Sequence, residues 1–456
     1  MTRTTEATTE RSWYREPLQW QGARSATAAL TRPLDTAAAK AQRLIETLLG
    51  KPVPVRFEFF DGSALGPTDG PGTVRVRSVN ALRRIIWAPG ELGLARAFVS
   101  GDVELEGDII GLLGVLQHAA PQDLRFLGVM GSLACLDAAR RFGALGPPLP
   151  PPAEEVLPRG RRHSTRRDAA SVRHHYDVGN DFYRLVLGPT VTYSCARFAD
   201  DTTDLENAQR AKFELICRKL GLHERRGARL LDVGCGWGSM AMHAAARHGA
   251  TAVGITISPE QADLARRRLA DAGLAEQVEI RLQDYRELPM EEFDAISSIG
   301  MFEHVGRARQ SEYFSKLRTL LRPGGRLLNH AISRAGSSRP ARRSFIYRYV
   351  FPDSELLDVG ETILAMEAAG FEVRDVESLR EHYSRTLRAW VGNLERRWHE
   401  AVSLVGERRA RIWRLYMAGC ANRFSDGQIS VHQVLGVVND DRGRSFMPRT
   451  RAGWEP

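Results

Sequence analysis

Cysteine is scarce in this sequence of 456 residues: there are five, spread widely, at positions 135, 195, 217, 235 and 420. Their number is odd and no two of them form a CxxC pair, so the sequence predicts neither a disulfide framework nor a zinc site. We therefore expect no metal, and a reducing cytosol is the compartment that fits this pattern best.

Long apolar runs are also missing, because no uninterrupted stretch approaches the length needed to span a bilayer. The polar N-terminus, MTRTTEATTERSW, lacks the apolar core of a signal peptide. We expect any membrane contact to be peripheral, at the inner face of the membrane. Lysine is rare and arginine supplies most of the net charge of +9, which favours an anionic partner, either nucleic acid or an acidic membrane surface.

The patterning divides the chain into four parts. Residues 1–20 are predicted to be a disordered tail, and residues 21–145 mix helical and strand-like patterns typical of a small α+β domain. Prolines and the basic stretch RGRRHSTRR predict a linker over residues 146–168. Over residues 169–445, helical patterns alternate with apolar strands (LLDVG, TAVGITI, VEIRLQD, FDAISSI, RLLNHAIS), which predicts an α/β domain with a doubly wound, mostly parallel sheet.

The first of those strands runs into closely spaced glycines, Gly234, Gly236 and Gly238, and then into a helix. Glycines at such a turn let the backbone approach a ligand, and the helix N-terminus presents free amides. The spacing is GxGxG rather than GxGxxG. The second strand ends near Thr256 without the acid that a dinucleotide fold uses to hold a ribose hydroxyl, so an NAD site is disfavoured.

This glycine turn resembles the cofactor loop of class I S-adenosylmethionine-dependent methyltransferases, which have a Rossmann-like fold. Further motifs resemble one family within that class, the cyclopropane fatty acid synthases, including the mycolic acid cyclopropane synthases. The matching stretches fall in order over residues 170–440: HYDVGNDF, TYSCA, LLDVGCGWG, GITISPEQ, SIGMFEHVG, LNHAI, HYSRTL and GCANRF. The resemblance implies a lipid-binding N-terminal domain. It also implies transfer of the methyl carbon of S-adenosylmethionine to the cis double bond of an unsaturated phospholipid acyl chain.

The same resemblance implies site residues. Those expected to bind the cofactor are Tyr193, Ser194, Asp232, Gly234, Gly236, Gly238, Thr256, Gln261, Asp284 and Tyr285. A bound bicarbonate ion, which deprotonates the carbocation left by methyl transfer, is expected on Cys195, Glu303, His330 and Tyr383, with help from the backbone of Ile332. Glu303 and His330 are expected to act on the ion as a coupled unit. Cys420 is a further catalytic candidate, although the alkylation needs no nucleophile and a buried structural thiol is the alternative.

Two departures from the family pattern leave the product open. Residues 98–108, FVSGDVELEGD, lack the tryptophans often found there, and Arg197 follows TYSCA where a neutral or aromatic residue is commoner. Proton loss from the added methyl gives a cyclopropane. A different fate of the same cation gives a 10-methylene fatty acid, the precursor of a methyl-branched one. A homodimer and, for the methylene product, a reductase partner are also left open.

Two other functions compete with acyl-chain alkylation: a methyltransferase of small molecules or RNA, and a lipid-binding protein with an inactive cofactor domain. RGRRHSTRR lacks the aromatic residues that stack on bases, so no nucleic-acid partner is expected. The intact glycine turn and Glu303 oppose an inactive domain. The basic segments RRHSTRR and Arg339 to Arg348 are expected either to dock acidic lipid head groups or to form a solvated charged face.

Overall fold

The structure is a computed structural model that describes residues 35–119, 127–156, 178–336, 343–352 and 354–455. Several predictions concern residues outside these ranges: the tail over 1–20, the stretch RGRRHSTRR, the start of HYDVGNDF and part of the basic region after Arg339. Two sheets organise the described residues, one of four strands and one of seven. No helix in these ranges is long and apolar enough to cross a membrane.

Residues 37–141 build the four-stranded sheet and the helices around it. In chain order the elements are α1 (Ala37–Leu49), β1 (Arg56–Phe59), β2 (Ala64–Leu65), β3 (Gly72–Val76), α2 (Asn80–Trp87), α3 (Glu91–Val99), β4 (Val103–Gly107), α4 (Ile109–Ala119) and α5 (Leu127–Arg141). The strand order is β2-β1-β3-β4, with β1 and β3 parallel and the other pairs antiparallel. β1 buries Phe57 and Phe59, while Arg56 and Glu58 pair on its other face, as the alternating pattern predicts.

The remaining elements build the seven-stranded sheet and its helices. They are α6 (Asn180–Leu187), α7 (Leu205–Lys219), β5 (Arg229–Val233), α8 (Ser239–His248), β6 (Thr251–Thr256), α9 (Pro259–Asp271), β7 (Val278–Leu282), β8 (Phe293–Ile299), α10 (Gln310–Thr319), β9 (Leu321–Ser333), α11 (Val359–Ala368), β10 (Glu372–Ser378), α12 (Arg380–Arg396), α13 (Trp398–Val405), α14 (Glu407–Ser425) and β11 (Ser430–Val437). The strand order is β10-β11-β9-β8-β5-β6-β7.

The doubly wound, mostly parallel sheet that the sequence predicts is confirmed. The five predicted strands are β5 to β9, and each is parallel to its neighbours within that group. β11 is antiparallel to both β9 and β10, and neither β10 nor β11 was predicted. β5 has β6 on one side and β8 on the other, so the chain reverses its winding direction at the end of β5. Ligands bind at this position in open α/β sheets.

The four-stranded sheet packs against α14 of the larger unit. Arg411 Nη2 pairs with a carboxylate oxygen of Glu104 at 2.9 Å, and Arg414 Nη1 donates to the carbonyl oxygen of Leu105 at 2.9 Å. Asn422 Nδ2 donates to the carbonyl oxygen of Ile110, also at 2.9 Å. The segment FVSGDVELEGD comprises the end of α3, a turn and β4. β4 and the start of α4 make these contacts.

Candidate active site

The glycine turn joins β5 to α8 and faces the position where the sheet reverses. The amides of Gly234 and Cys235 both donate to the carbonyl oxygen of Ile255, at 3.0 and 2.9 Å, which ties the turn to β6. Gly238 has a φ of +79°, and a Cβ atom there would lie 3.3 Å from the Cβ of Ala265. Gly238 is thus required for the turn and for close packing of α8 on α9.

A cleft opens between this turn and the carboxyl ends of the strands. With the exception of Gly238, all the residues predicted to bind the cofactor line it: Tyr193, Ser194, Asp232, Gly234, Gly236, Thr256, Gln261, Asp284 and Tyr285. Thr256 Oγ1 donates to Gln261 Oε1 at 2.8 Å, and Ser258 Oγ caps α9 by accepting from the amide of Gln261. The polar side chains at or just after the end of β6 that line the cleft, Thr256 and Gln261, are therefore neutral, while the acidic Glu260 is exposed and does not line it.

Asp284 and Tyr285 follow β7 at the far wall of the cleft. Burial raises the pKa of Asp284, but the hydrogen bonds and charge of Arg286 outweigh burial, and the net pKa is lowered. The carboxylate is thus ionised and can accept a hydrogen bond. The Tyr285 ring packs edge-on against Tyr313 with centroids 4.9 Å apart, which fixes its position in the wall.

Lys212, which the sequence reasoning missed, is fully buried in the same cleft. Its Nζ donates to Ser194 Oγ at 2.9 Å. Burial lowers the pKa of Lys212 to about 7, partly opposed by the charge of Asp232. Burial likewise raises the pKa of Asp232 to about 6, although Ser297 Oγ donates to its carboxylate at 2.7 Å. One feature could have revealed this lysine: it lies on the apolar stripe of α7 with Ala208 and Leu215.

Glu303 lies on a short 3₁₀ turn, Phe302–His304, just beyond the end of β8 at Ile299. Its Oε1 accepts from the amide of Ile332 at 2.7 Å. Its Oε2 is buried and has no hydrogen-bond partner among the described residues. Burial raises the pKa of Glu303 to about 7. The backbone of Ile332, which the resemblance also implies at the ion, thus orients Glu303 through its amide.

His330 is buried on β9 with its Nδ1 3.3 Å from Gln433 Nε2. Burial, together with the charges of Lys212 and Lys219, lowers the pKa of His330 well below its usual value, so the ring is neutral. Since the Gln433 amide donates to Nδ1, the ring proton is assigned to Nε2. That Nε2 is buried and also has no partner in the part of the chain described. No hydrogen bond between described residues joins His330 to Glu303.

Cys195 and Tyr383 are buried close to this pair of groups. The Cys195 thiol lies 3.6 Å from the carbonyl oxygen of Leu379, and burial raises its pKa far above the usual range. Burial also raises the pKa of Tyr383, and the charges of Cys195 and Glu303 act in the same direction. Tyr383 is therefore a neutral phenol that can donate a proton or a hydrogen bond.

Cys420 lies on α14, one turn beyond Tyr416. Burial raises the pKa of its thiol to about 12, so the thiolate that a nucleophile requires is not populated near neutral pH. The side chain packs against the main apolar core instead. These observations favour the structural thiol over the nucleophile.

An aromatic cluster, of which the sequence reasoning identified only two members, lies beside the cleft. It consists of Phe182, Tyr183, Tyr193, Trp237, Phe351, Tyr383, Trp390, Trp413, Tyr416 and Phe424. Tyr193 and Trp237 also line the cleft, so the two spaces adjoin. The Tyr193 hydroxyl donates to that of Tyr416 at 3.0 Å. Electron-rich ring faces in a water-poor space stabilise a positive charge.

A second, smaller cavity also reaches the aromatic cluster. It is lined by Glu154, Val178, Tyr349, Val350, Arg409, Ile412, Trp413 and Tyr416. Trp413 and Tyr416 belong to both the cavity and the cluster. The lining is mostly apolar, with one acidic and one basic side chain.

The sequence matches the family described as mycolic acid cyclopropane synthetase over residues 163–434. A probable fatty acid methyltransferase of Mycobacterium tuberculosis is 41% identical over 88% of this chain and 95% of its own length. The tuberculostearic acid methyltransferase of the same organism is 32% identical over 84% and 87%. The cyclopropane-fatty-acyl-phospholipid synthase of Escherichia coli is 33% identical over 81% and 89%.

The fold comparison agrees with the sequence comparison. A crystal structure of a mycolic acid cyclopropane synthase in complex with S-adenosylhomocysteine superposes with a TM-score of 0.55 and 35% identity, over 59% of this chain and 97% of that one. The superposed share is about the size of the seven-stranded unit with its helices.

Proposed function

Because the chain belongs to the mycolic acid cyclopropane synthetase family and is an S-adenosylmethionine-dependent methyltransferase of unsaturated lipid chains, we propose that its product is a cyclopropane ring. The substrate is an unsaturated acyl chain of a membrane phospholipid. The observation that supports this best is a pair of buried polar atoms, Glu303 Oε2 and His330 Nε2, without partners among the described residues. Buried polar atoms are otherwise almost always hydrogen-bonded.

In this proposal the cleft binds the cofactor and the aromatic cluster surrounds the reacting acyl chain. When bound, S-adenosylmethionine supplies a methyl group on a positively charged sulfur. The cleft holds the cofactor, and Tyr193 and Trp237, which line the cleft and belong to the cluster, place ring faces at the boundary. An alkene is a weak nucleophile, so it must be held against the methyl group in a dry, apolar space. The carbocation that results on the acyl chain lies among electron-rich rings.

The polar pair fits a bicarbonate ion. His330 Nε2–H is a donor without an acceptor among the described residues. Because the pKa of Glu303 is about 7, its Oε2 can accept a proton from the ion or share one with it. Tyr383 adds a neutral donor. These residues would hold bicarbonate, which supplies a base that does not trap the cation. Glu303 is itself oriented by the Ile332 amide at 2.7 Å.

The acyl chain enters through the second cavity, whose Trp413 and Tyr416 lead into the aromatic cluster. Exposed apolar side chains in residues 60–145 then contact the membrane surface; they are Phe60, Trp87, Leu94, Leu133, Leu136 and Leu145. With the net charge of +9, such a surface suits peripheral binding to the anionic inner face of a membrane.

A methylene product from the same chemistry is the second candidate. It is favoured by the similarity to a tuberculostearic acid methyltransferase, 32% identical over 84% of this chain. Both products come from the same carbocation. Proton loss from the added methyl with closure of a carbon–carbon bond gives the ring, whereas a 1,2-hydride shift followed by proton loss from that methyl gives the methylene form. A reductase would then be needed to convert the methylene form to a methyl branch.

The test uses the purified chain, methyl-labelled S-adenosylmethionine and dioleoyl phosphatidylglycerol vesicles. The proposal predicts label in the acyl chains of the recovered lipid, and far less with Glu303→Gln although that variant still binds the cofactor. Label on protein or on a small amine, with none in lipid, would refute it. Loss of cofactor binding in Glu303→Gln would show that Glu303 belongs to the cofactor cleft instead.

A further inference from the structure

Four side chains with zinc-ligand chemistry meet between α7 and α8, away from the residues used above. They are Glu214 and Cys217 on α7, and His243 and His248 on α8. One ligand atom from each of Cys217, His243 and His248 lies within 4.8 Å of the other two. Glu214 Oε2 lies 3.4 Å from His243 Nε2 and 3.0 Å from His248 Nε2.

The helices bring these groups together through local geometry. Glu214 and Cys217 are three residues apart on α7, so they project from the same face. His248 is the last residue of α8, which ends because Gly249 takes a left-handed φ of +64°. The cysteine spacing in the sequence predicted no zinc site. It could not reveal this cluster, because the four groups come from two helices separated in the chain by β5.

We propose that these four side chains bind one Zn²⁺ ion as a structural site. Thiolate, imidazole and carboxylate are the zinc ligands of proteins, and four such ligands close a structural site. At the usual bond lengths, a tetrahedral ion holds its ligand atoms roughly 3.3 to 3.7 Å apart. The two nitrogen–oxygen distances, 3.4 and 3.0 Å, are already near that separation.

The surroundings support an ion here. Arg218 Nε donates to Glu214 Oε1 at 2.8 Å, which leaves Oε2 directed at the two imidazoles. Outer partners of this kind orient metal ligands. The side chains of His243, His248 and Glu214 are 12%, 9% and 30% exposed, so an ion can enter from the surface. Cys217 is fully buried and forms the inner end of the site.

The site would stiffen one wall of the cofactor cleft. α7 also carries Lys212, and α8 begins with Ser239 and Met240, all three of which line the cleft. An ion that joins the two helices therefore stabilises the folded state without touching the reacting groups.

The experiment is a Zn²⁺ titration of the chelator-treated full chain in competition with a chromophoric chelator, followed by Co²⁺ substitution. We expect one Zn²⁺ per chain with a Kd below about 1 μM, a raised melting temperature, and a thiolate-to-cobalt absorption band. Cys217→Ser should abolish that band, and both Cys217→Ser and Glu214→Gln should weaken binding about 100-fold or more. Cys135→Ser and His223→Gln, which change a cysteine and a histidine outside the set, should leave binding unchanged.

The proposal is overturned if the parent chain shows no stoichiometric Zn²⁺ binding, or if Cys217→Ser and Glu214→Gln bind Zn²⁺ as tightly as the parent does. His248→Gln provides a test with a variant that is expected to fold, because the His248 side chain lies near the surface at a helix end. Circular dichroism of the metal-free proteins should show that His248→Gln is folded like the parent. If the folded variant still binds one Zn²⁺ with the parent's affinity, the site is wrong.

Discussion

Lys212 Nζ donates a hydrogen bond of 2.9 Å to Ser194 Oγ at the floor of the cofactor cleft, and the lysine is fully buried. A buried ammonium group is costly unless it is partnered. Here it lies beside the buried Asp232 carboxylate and one of the two loop residues expected to contact the cofactor. The pair therefore links α7 to the loop that carries Tyr193 and Ser194.

Replacing Lys212 by Met should weaken both cofactor binding and fold stability. A hydrogen bond from a charged donor contributes about 1.5–3 kcal/mol, and Ser194 loses the donor that positions it, so the KM for S-adenosylmethionine should rise about 10-fold or more. Methionine fills similar volume but leaves the buried Asp232 carboxylate without a neighbouring positive charge, so the melting temperature should fall. Steady-state kinetics and thermal melts measure both. Lys316→Met, which changes a lysine outside the cleft, is the control; an equal KM effect there would contradict this role.

Glu303 should make stability depend on pH in a defined direction. Burial raises its folded-state pKa to about 7 from the usual 4.5, so the folded chain holds a proton that the unfolded chain releases. The stability from the protonated carboxyl is complete below about pH 4.5 and is lost as the pH rises through about 7. Glu303→Gln mimics the protonated form. We expect it to exceed the parent in stability above pH 7, by about 3 kcal/mol at most, and to approach it near pH 5 in urea unfolding. A difference that does not vary with pH would contradict the assignment.

Tyr383→Phe should separate chemistry from binding. The hydroxyl is a neutral donor near Glu303 and Cys195, and the ring packs on Phe424 with centroids 4.5 Å apart. Phenylalanine keeps that packing and removes only the donor. We expect kcat to fall about 10- to 100-fold, the loss of a hydrogen bond to a charged group, while the Kd for S-adenosylmethionine stays constant in a calorimetric titration. A wild-type kcat would remove Tyr383 from the active site.

Cys420→Ala should retain activity. Burial keeps the thiol protonated, with a pKa of about 12, and the alkylation forms no bond to the enzyme. We expect kcat within about threefold of the parent and a small loss of stability, on the order of 1 kcal/mol for the removed sulfur. An initial-rate assay at matched concentration decides the matter. A complete loss of turnover in a folded variant would favour Cys420 as a nucleophile after all.

Local patterns were enough to predict the part of the site that is continuous in sequence. Gly234 and Gly236 follow a buried strand directly, and Thr256 ends the next strand, so period and turn chemistry locate both at one edge of the sheet. In the structure, all three line a single cleft. The antiparallel strand β10 was missed because its sequence, EVRDVES, is too charged to stand out from surface segments.

The part that depends on distant contacts could not be predicted. The hydroxyls of Tyr193 and Tyr416 meet from positions 223 residues apart, and no spacing rule connects a loop to a helix so far along the chain. Glu303 shows the same limit. The motif SIGMFEHVG identifies Glu303 as a candidate, but only the fold shows that the Ile332 amide orients it. Only the fold shows, too, that among the described residues His330 is hydrogen-bonded to Gln433 and not to Glu303.

The central claim is that this chain adds a one-carbon unit to phospholipid acyl double bonds, and mass spectrometry of lipids from a host without such an enzyme tests it most directly. Cells that express the parent chain should accumulate phospholipids whose unsaturated chains have gained one CH₂ at the former double bond, with ring and methylene forms resolved by fragmentation. Cells that express Glu303→Gln at the same level should not. Unchanged acyl chains in cells that contain folded, cofactor-binding parent protein would contradict the account.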